Sequence, residues 1–152
     1  MSPTVHVVGN AAPHPTDRIV AQALLDAAKR FNVPHELVRA VAWRESRYKP
    51  SLVSPKGAQG LMQIMPATGR GLGLAEPFNP MQNAAAGAKY LRQLHTQYRQ
   101  WPQALAAYNW GSGNVNKRPD PNQWPASVVE YVLRVWDAAG WKLPSAIPVV
   151  QL

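Results

Sequence analysis

Apolar residues in this chain recur three and four positions apart and almost nowhere alternate. Ile19, Ala23, Leu24 and Ala27 share one such stripe. Ala84, Ala88, Leu91 and Leu94 share a second, and Val128, Val132, Val135 and Trp136 a third. A period near 3.6 specifies helices with one buried face, whereas a half-buried strand needs a period of two. Alternation shows only weakly, at residues 5–8 and at the C-terminus. The fold class read from this is all-α, or α with minor β: a globular domain of many short helices joined by long loops.

Prolines and glycines set the punctuation. Thr16 is a fitting N-cap for a helix over residues 17–31, which Asn32 and Val33 break. Pro34 suits a first helical position and opens a helix over 34–47. Pro50, Pro55 and Gly57 enforce a loop. Short helical pieces are expected at 60–64 and 66–70, then loop through 69–80. A long helix follows at 81–101 and a shorter one at 103–108, ended by Gly111 and Gly113. Residues 116–125 read as polar loop, and 128–139 as the last helix, stopped by Gly140. Residues 1–15 carry three prolines and read as an N-terminal arm; 16–141 form the domain; 142–152 are an apolar tail. No internal repeat is visible.

At 152 residues the chain fits one compact domain. A chain of this size buries roughly 70% of its unfolded surface, enough for a core without staples. Hydrophobic residues at 46% and charged residues at 16% exclude a disordered polyelectrolyte. With no cysteine, disulfides and thiolate metal sites are ruled out. His6, His14, His35 and His95 do not stand at zinc-ligand spacing, so neither metal nor cofactor is expected. The net charge of +8 favours a polyanionic partner: nucleic acid, anionic lipid, or a bacterial wall with acidic peptides and teichoic acids. The positive charges are spread from Arg18 to Lys142, without a dense run, and read equally well as a solvated face. No stretch approaches ~18 apolar residues, so stable membrane insertion is not expected. Residues 1–15 lack the basic start and apolar run of a signal peptide, so a target outside the cytoplasm would need another delivery route.

Three segments carry candidate chemistry. On the second helix Val38, Val41 and Glu45 stand on one side. A carboxyl group ending a buried stripe is costly to ionise, and desolvation raises its pKa toward that of a general acid. A glutamate at a helix end also reads as an ordinary solvated residue. Next comes Ser54, Pro55 and Lys56 leading into Gly57, Gly60, Met62 and Gln63. Glycines there permit close approach to a ligand, and the Gln63 amide could meet sugar hydroxyls. The alternative is a tight turn with Gln63 facing solvent. Tyr108, Asn109 and Trp110 before Gly111 offer ring faces for sugars and an amide for their hydroxyls; a glycine cap over buried aromatics is the plain alternative.

Taken together the segments resemble the soluble lytic transglycosylase family, the goose-type-lysozyme-like branch of the lysozyme superfamily. The likeness rests on Glu45, Ser46, Arg47 and Tyr48, then on residues 57–66. It continues through Asn79, Pro80, Asn83, Gly87, Tyr90 and Leu91, and then through residues 107–111 and Tyr131. It runs from about Val20 to Trp136. Trp110 and Ser112 depart from it, standing where alanine and proline are common. The resemblance implies a lysozyme-like fold and cleavage of the MurNAc–GlcNAc bond of peptidoglycan, leaving a 1,6-anhydroMurNAc end. It implies Glu45 as acid and then base, with Tyr131 orienting it. It implies Ser46, Ser54, Met62, Gln63, Tyr108 and Asn109 along the substrate, Tyr108 with a possible structural part.

None of the other seven acidic residues forms a recognisable pair with Glu45, which favours single-acid chemistry. Two rivals remain. A hydrolytic lysozyme of the same fold would need Glu76 or Asp120 to hold a water. A non-catalytic wall-binding or structural protein would keep the cleft without activity. Nucleic-acid binding predicts a basic helix face or a known motif, and neither is present. The expected partner is the glycan strand and the expected state a monomer. The expected setting is the bacterial wall or periplasm, reached through phage lysis, a virion or an export apparatus.

Overall fold

A computed structural model describes residues 11–142 of the chain. Seven α-helices and one 3-10 helix make up its regular structure among the described residues. Helix α1 (Arg18–Phe31) packs along α4 (Pro80–Tyr98), α4 against α5 (Trp101–Trp110), and α5 against α7 (Ala126–Ala138). Helix α2 (His35–Ser46) lies between α1 and α7. Short helices α3 (Pro66–Leu72) and α6 (Ser112–Lys117) flank this body, and Pro121–Gln123 forms the 3-10 turn before α7. The core draws Leu24, Leu37, Leu61, Leu91, Leu105 and Leu133 from six different segments, all out of contact with solvent.

The helices begin and end for local reasons. Asp17, not Thr16, caps α1: its Oδ1 accepts from the amides of Ile19 and Val20 at 2.8 and 3.0 Å. A carboxylate there also meets the positive end of the helix dipole. Asn79 caps α4 by accepting from Gln82 N, and Pro80 occupies the first helical position, where no donor is needed. Arg99 in the left-handed region ends α4 at Tyr98, three residues before the expected limit at 101.

The helix expected at 60–64 is absent. That stretch is a turn held by isolated bridges between Val53 and Gln59 and between Gln59 and Ile64. The physical reason is Gly60, whose φ of +81° takes the chain out of the helical region. Any Cβ at Gly60 would collide with Pro77 O and Asn83 Nδ2, so the close approach excludes other residues. Helix α5 extends to Trp110, beyond the expected 108, and α6 and the 3-10 turn occupy part of what read as loop.

Residues 11–15 lie against the body. Ala12 N donates to Ala138 O at 2.7 Å, Tyr48 Oη to Pro13 O at 2.6 Å, and Arg39 Nη1 to the His14 ring at 2.8 Å. The rest of the expected arm (1–10) and the tail beyond Lys142, including both weakly alternating stretches, fall outside the described residues.

Candidate active site

Glu45 comes from the last turn of α2, and Tyr131 from the middle of α7, which packs across it. Tyr131 Oη donates to Glu45 Oε2 at 2.8 Å. Tyr131 is itself buried, so the bond fixes the carboxyl orientation from inside the core. Burial is the main influence on Glu45. It raises the pKa from the ordinary 4.5 to about 7, against the opposing pull of the Tyr131 hydrogen bond and the Arg44 charge. With Oε2 held by a donor, the proton belongs on Oε1. No second carboxylate figures among the influences on Glu45.

The loop that follows α2 is tied down from three sides. Ser46 is buried, and its hydroxyl donates to Leu61 O at 2.6 Å, in reach also of Ala42 O at 3.1 Å. Met62 N donates to Asn83 Oδ1 at 2.7 Å, and Tyr108 Oη donates to Met62 O at 2.7 Å. Asn83, wholly buried on α4, also gives its amide protons to Gln59 O and Pro77 O at 3.0 and 2.8 Å. One side chain thus satisfies two backbone groups of this loop and one of the segment before α4, and so ties the two segments together.

Beside this loop is a groove of about 240 Å³ lined by Gln63, Met65, Tyr90, Tyr108, Asn109 and Trp110. Tyr90 and Tyr108 pack with their rings tilted at 41° and 5.4 Å between centroids. Tyr108 links the groove to the acid: burial drives its pKa well up, and the nearby Glu45 charge adds to the effect. Asn109 is exposed, with its side chain open to the groove.

The expected site residues therefore divide. Gln63, Tyr108 and Asn109 line the groove; Glu45, with Tyr131 on its carboxyl, is outside that lining and meets it through Tyr108, which feels the Glu45 charge. Ser46 and Met62 do not face it: the Ser46 hydroxyl is spent on backbone carbonyls, and the Met62 side chain is buried over Gly87. Both hold the loop, and their direct contact with a substrate is not supported by this geometry. Ser54 Oγ accepts from Ala58 N at 2.9 Å and serves the turn. Gln63, at φ +53°, directs Nε2 to Leu52 O and Gly60 O, which leaves its amide oxygen for other partners. Asn83 was named only within the resemblance. Its signal was nonetheless in the sequence: an amide in the i−4 position to Gly87 and i−8 to Leu91, on the buried face of α4.

The proposed water-holding carboxylates are engaged elsewhere. Glu76 Oε2 accepts from Gln82 Nε2 at 3.3 Å, and Asp120 Oδ1 caps the 3-10 turn through Asn122 N at 2.9 Å.

The family model of the transglycosylase SLT domain matches residues 22–127. The chain belongs to this family. Among its relatives is the transglycosylase of Enterobacteria phage PRD1, 33% identical over 114 residues, which covers 75% of this chain and 43% of the phage protein. Another is membrane-bound lytic murein transglycosylase F of Stutzerimonas stutzeri, 31% identical, covering 68% of this chain and 24% of that protein. The chain thus spans less than half the length of these relatives. Among solved structures, an inactive mutant of the lytic transglycosylase Slt of Pseudomonas aeruginosa superimposes with a TM-score of 0.70 at 28% identity. That match covers 83% of this chain and 24% of the larger one. The all-helical, lysozyme-like expectation is borne out. No helix among the described residues is long and apolar enough to cross a membrane.

Proposed function

We propose that this transglycosylase-family domain cleaves the β-1,4 bond between MurNAc and GlcNAc in peptidoglycan without water, with Glu45 as acid and then base. The observation that carries the reading is a single sheltered carboxyl group with a pKa of about 7, held on one oxygen by Tyr131 beside a groove of rings and amides. Near neutral pH such a group is available in both protonation states, as a two-step proton transfer requires.

Glu45 Oε1 gives its proton to the glycosidic oxygen as the bond to C1 breaks. The muramic N-acetyl oxygen supports the positive charge at C1. The carboxylate then takes the proton of the sugar's own C6 hydroxyl, and O6 closes on C1. The product is a 1,6-anhydro end, and Glu45 is again protonated. An internal nucleophile gains from proximity, so no second carboxylate is needed to activate water. The engagement of Glu76 and Asp120 supports this route over hydrolysis. Gln63 and Asn109 offer amide groups to the glycan, and Tyr90, Tyr108 and Trp110 offer rings. Names among the relatives support the substrate: two are murein or phage transglycosylases, and the Pseudomonas aeruginosa structure is an inactive mutant with glutamine in place of a glutamate. The partner is the glycan strand, met by a monomer. The phage relative supports delivery during phage lysis or within a virion, with an export apparatus as the alternative route.

Mass analysis of muropeptides released from purified wall tests this. Ends lighter by one water than reducing ends are expected, and none from Glu45→Gln. Release of reducing ends alone refutes the transglycosylase chemistry; undiminished lysis by the variant refutes the assignment of Glu45.

A further inference from the structure

A second cavity, of about 360 Å³, lies between α1 and α2 and shares no lining residue with the glycan groove. His14, Arg18, His35 and Arg39 line it, with Gln22 and Leu25 behind them. No carboxylate is in the lining. Asp17 caps α1, Asp26 accepts from Gln22 Nε2, and Glu36 accepts from Trp141 Nε1, so the acids of this region are turned to other partners. Among the described residues the ion pair in evidence is Arg134 with Glu130, on α7. Arg39 instead spends a guanidinium N–H on the His14 ring, and its buried Nε has no partner.

Positive charge accumulates here from three directions. Arg18 is the first residue of α1 and His35 the first of α2; Asp17 already meets the dipole of α1, while α2 has no side-chain cap and adds its positive end. His14 arrives on the segment that precedes α1. The buildup registers on His35, whose pKa is lowered first by burial and then by Arg39 and His14, with Glu36 opposing and Lys29 assisting. Two guanidinium groups thus line the cavity with no carboxylate among its walls, Arg18 exposed and Arg39 half-buried.

We infer that this cavity binds a phosphate group, presented as a phosphomonoester or phosphodiester. A carboxylate has two oxygens in one plane and would satisfy one guanidinium. A tetrahedral phosphate offers oxygens toward Arg18, Arg39 and the histidines together, and suits the uncapped start of α2. The apolar wall formed by Leu25, Ala21 and Pro15 accommodates the carbon side of an ester. This inference stands independently of the glycan chemistry.

The test titrates the whole chain with glycerol phosphate, and separately with vesicles of phosphatidylglycerol in phosphatidylcholine, following the histidine ring signals by NMR. Saturable shifts of His14 and His35 are expected, with the His35 pKa rising because an anion favours its charged form. Arg39→Gln and Arg18→Gln should each weaken binding about tenfold or more. Arg39→Lys, which keeps the charge and loses the fork, should fall between. Arg134→Gln should bind like the parent, and Arg18→Gln should still lyse wall. Arg18 is exposed, so its substitution leaves the fold intact, and circular dichroism verifies Arg39→Gln. Binding of the soluble ester alone identifies a free phosphate ester, and tighter vesicle binding a lipid headgroup; either supports the site. Absence of saturation, an equal response to chloride at the same ionic strength, or unchanged affinity in both arginine variants overturns it.

Discussion

Replacing Glu45 by glutamine should separate its cost to the fold from its use in catalysis. Below pH 4.5 the carboxyl is protonated in the folded and unfolded chains alike. As pH rises from 4.5 to about 7, the unfolded chain releases the proton while the folded chain retains it. The wild-type protein therefore loses stability through that window, and above about 7 the loss is complete. The gap between 4.5 and about 7 corresponds to about 3 kcal/mol, and partial exposure of the side chain trims this to about 2–3 kcal/mol. Glutamine keeps an acceptor for Tyr131 and has no charge to bury. The melting temperature of Glu45→Gln minus that of the parent should accordingly be flat below pH 4.5 and rise toward pH 8. For a chain of this size the rise should reach about 4–12 °C. Paired thermal melts from pH 4 to pH 9 measure it. The same variant should release no muropeptides at any pH. A melting difference that is constant across the range would refute the argument that burial governs this carboxyl group.

Tyr131→Phe removes the hydrogen bond that holds the Glu45 pKa down, so the alkaline limb of the pH–rate profile should move to higher pH while the rate falls about tenfold or more; an acid-ward movement contradicts this. Asn83→Ala strands Met62 N, Gln59 O and Pro77 O, and denaturant unfolding should show a loss of about 3 kcal/mol or more. Gly87→Ala gains about 1 kcal/mol of helix propensity but drives a Cβ into Met62 Sδ and Cβ, costing about 2–3 kcal/mol, so a net fall in melting temperature is expected. An unchanged or higher melting temperature would mean that the Met62 side chain moves aside freely.

The helices were legible because burial of one face imposes a period that sequence displays directly. The stripes through Leu24, Leu91 and Val132 reach the core, with two exceptions at their ends: Ile19 is exposed and Trp136 half-buried. Boundaries were less legible where two neighbouring residues could cap, as with Thr16 and Asp17, because the choice depends on which oxygen meets the free amides. The turn after α2 misread as helix because apolar residues from Leu61 to Ile64 mimic a short buried stripe. Gly60 allows the left-handed backbone there, and only the packed chain shows that Pro77 O and Asn83 leave no room for a Cβ at that position.

Sequence alone determined the helical class, the family likeness and the identity of the candidate acid, since each rests on residue type and local spacing. Tertiary structure decided which candidates share a groove. Ser46 and Met62 stand next to cleft residues in sequence yet point inward, while Tyr131, 86 positions from Glu45, donates to its carboxyl. The physical reason is that side-chain direction and desolvation depend on what the remainder of the chain packs against each residue, and neither is written in a residue's neighbours along the chain.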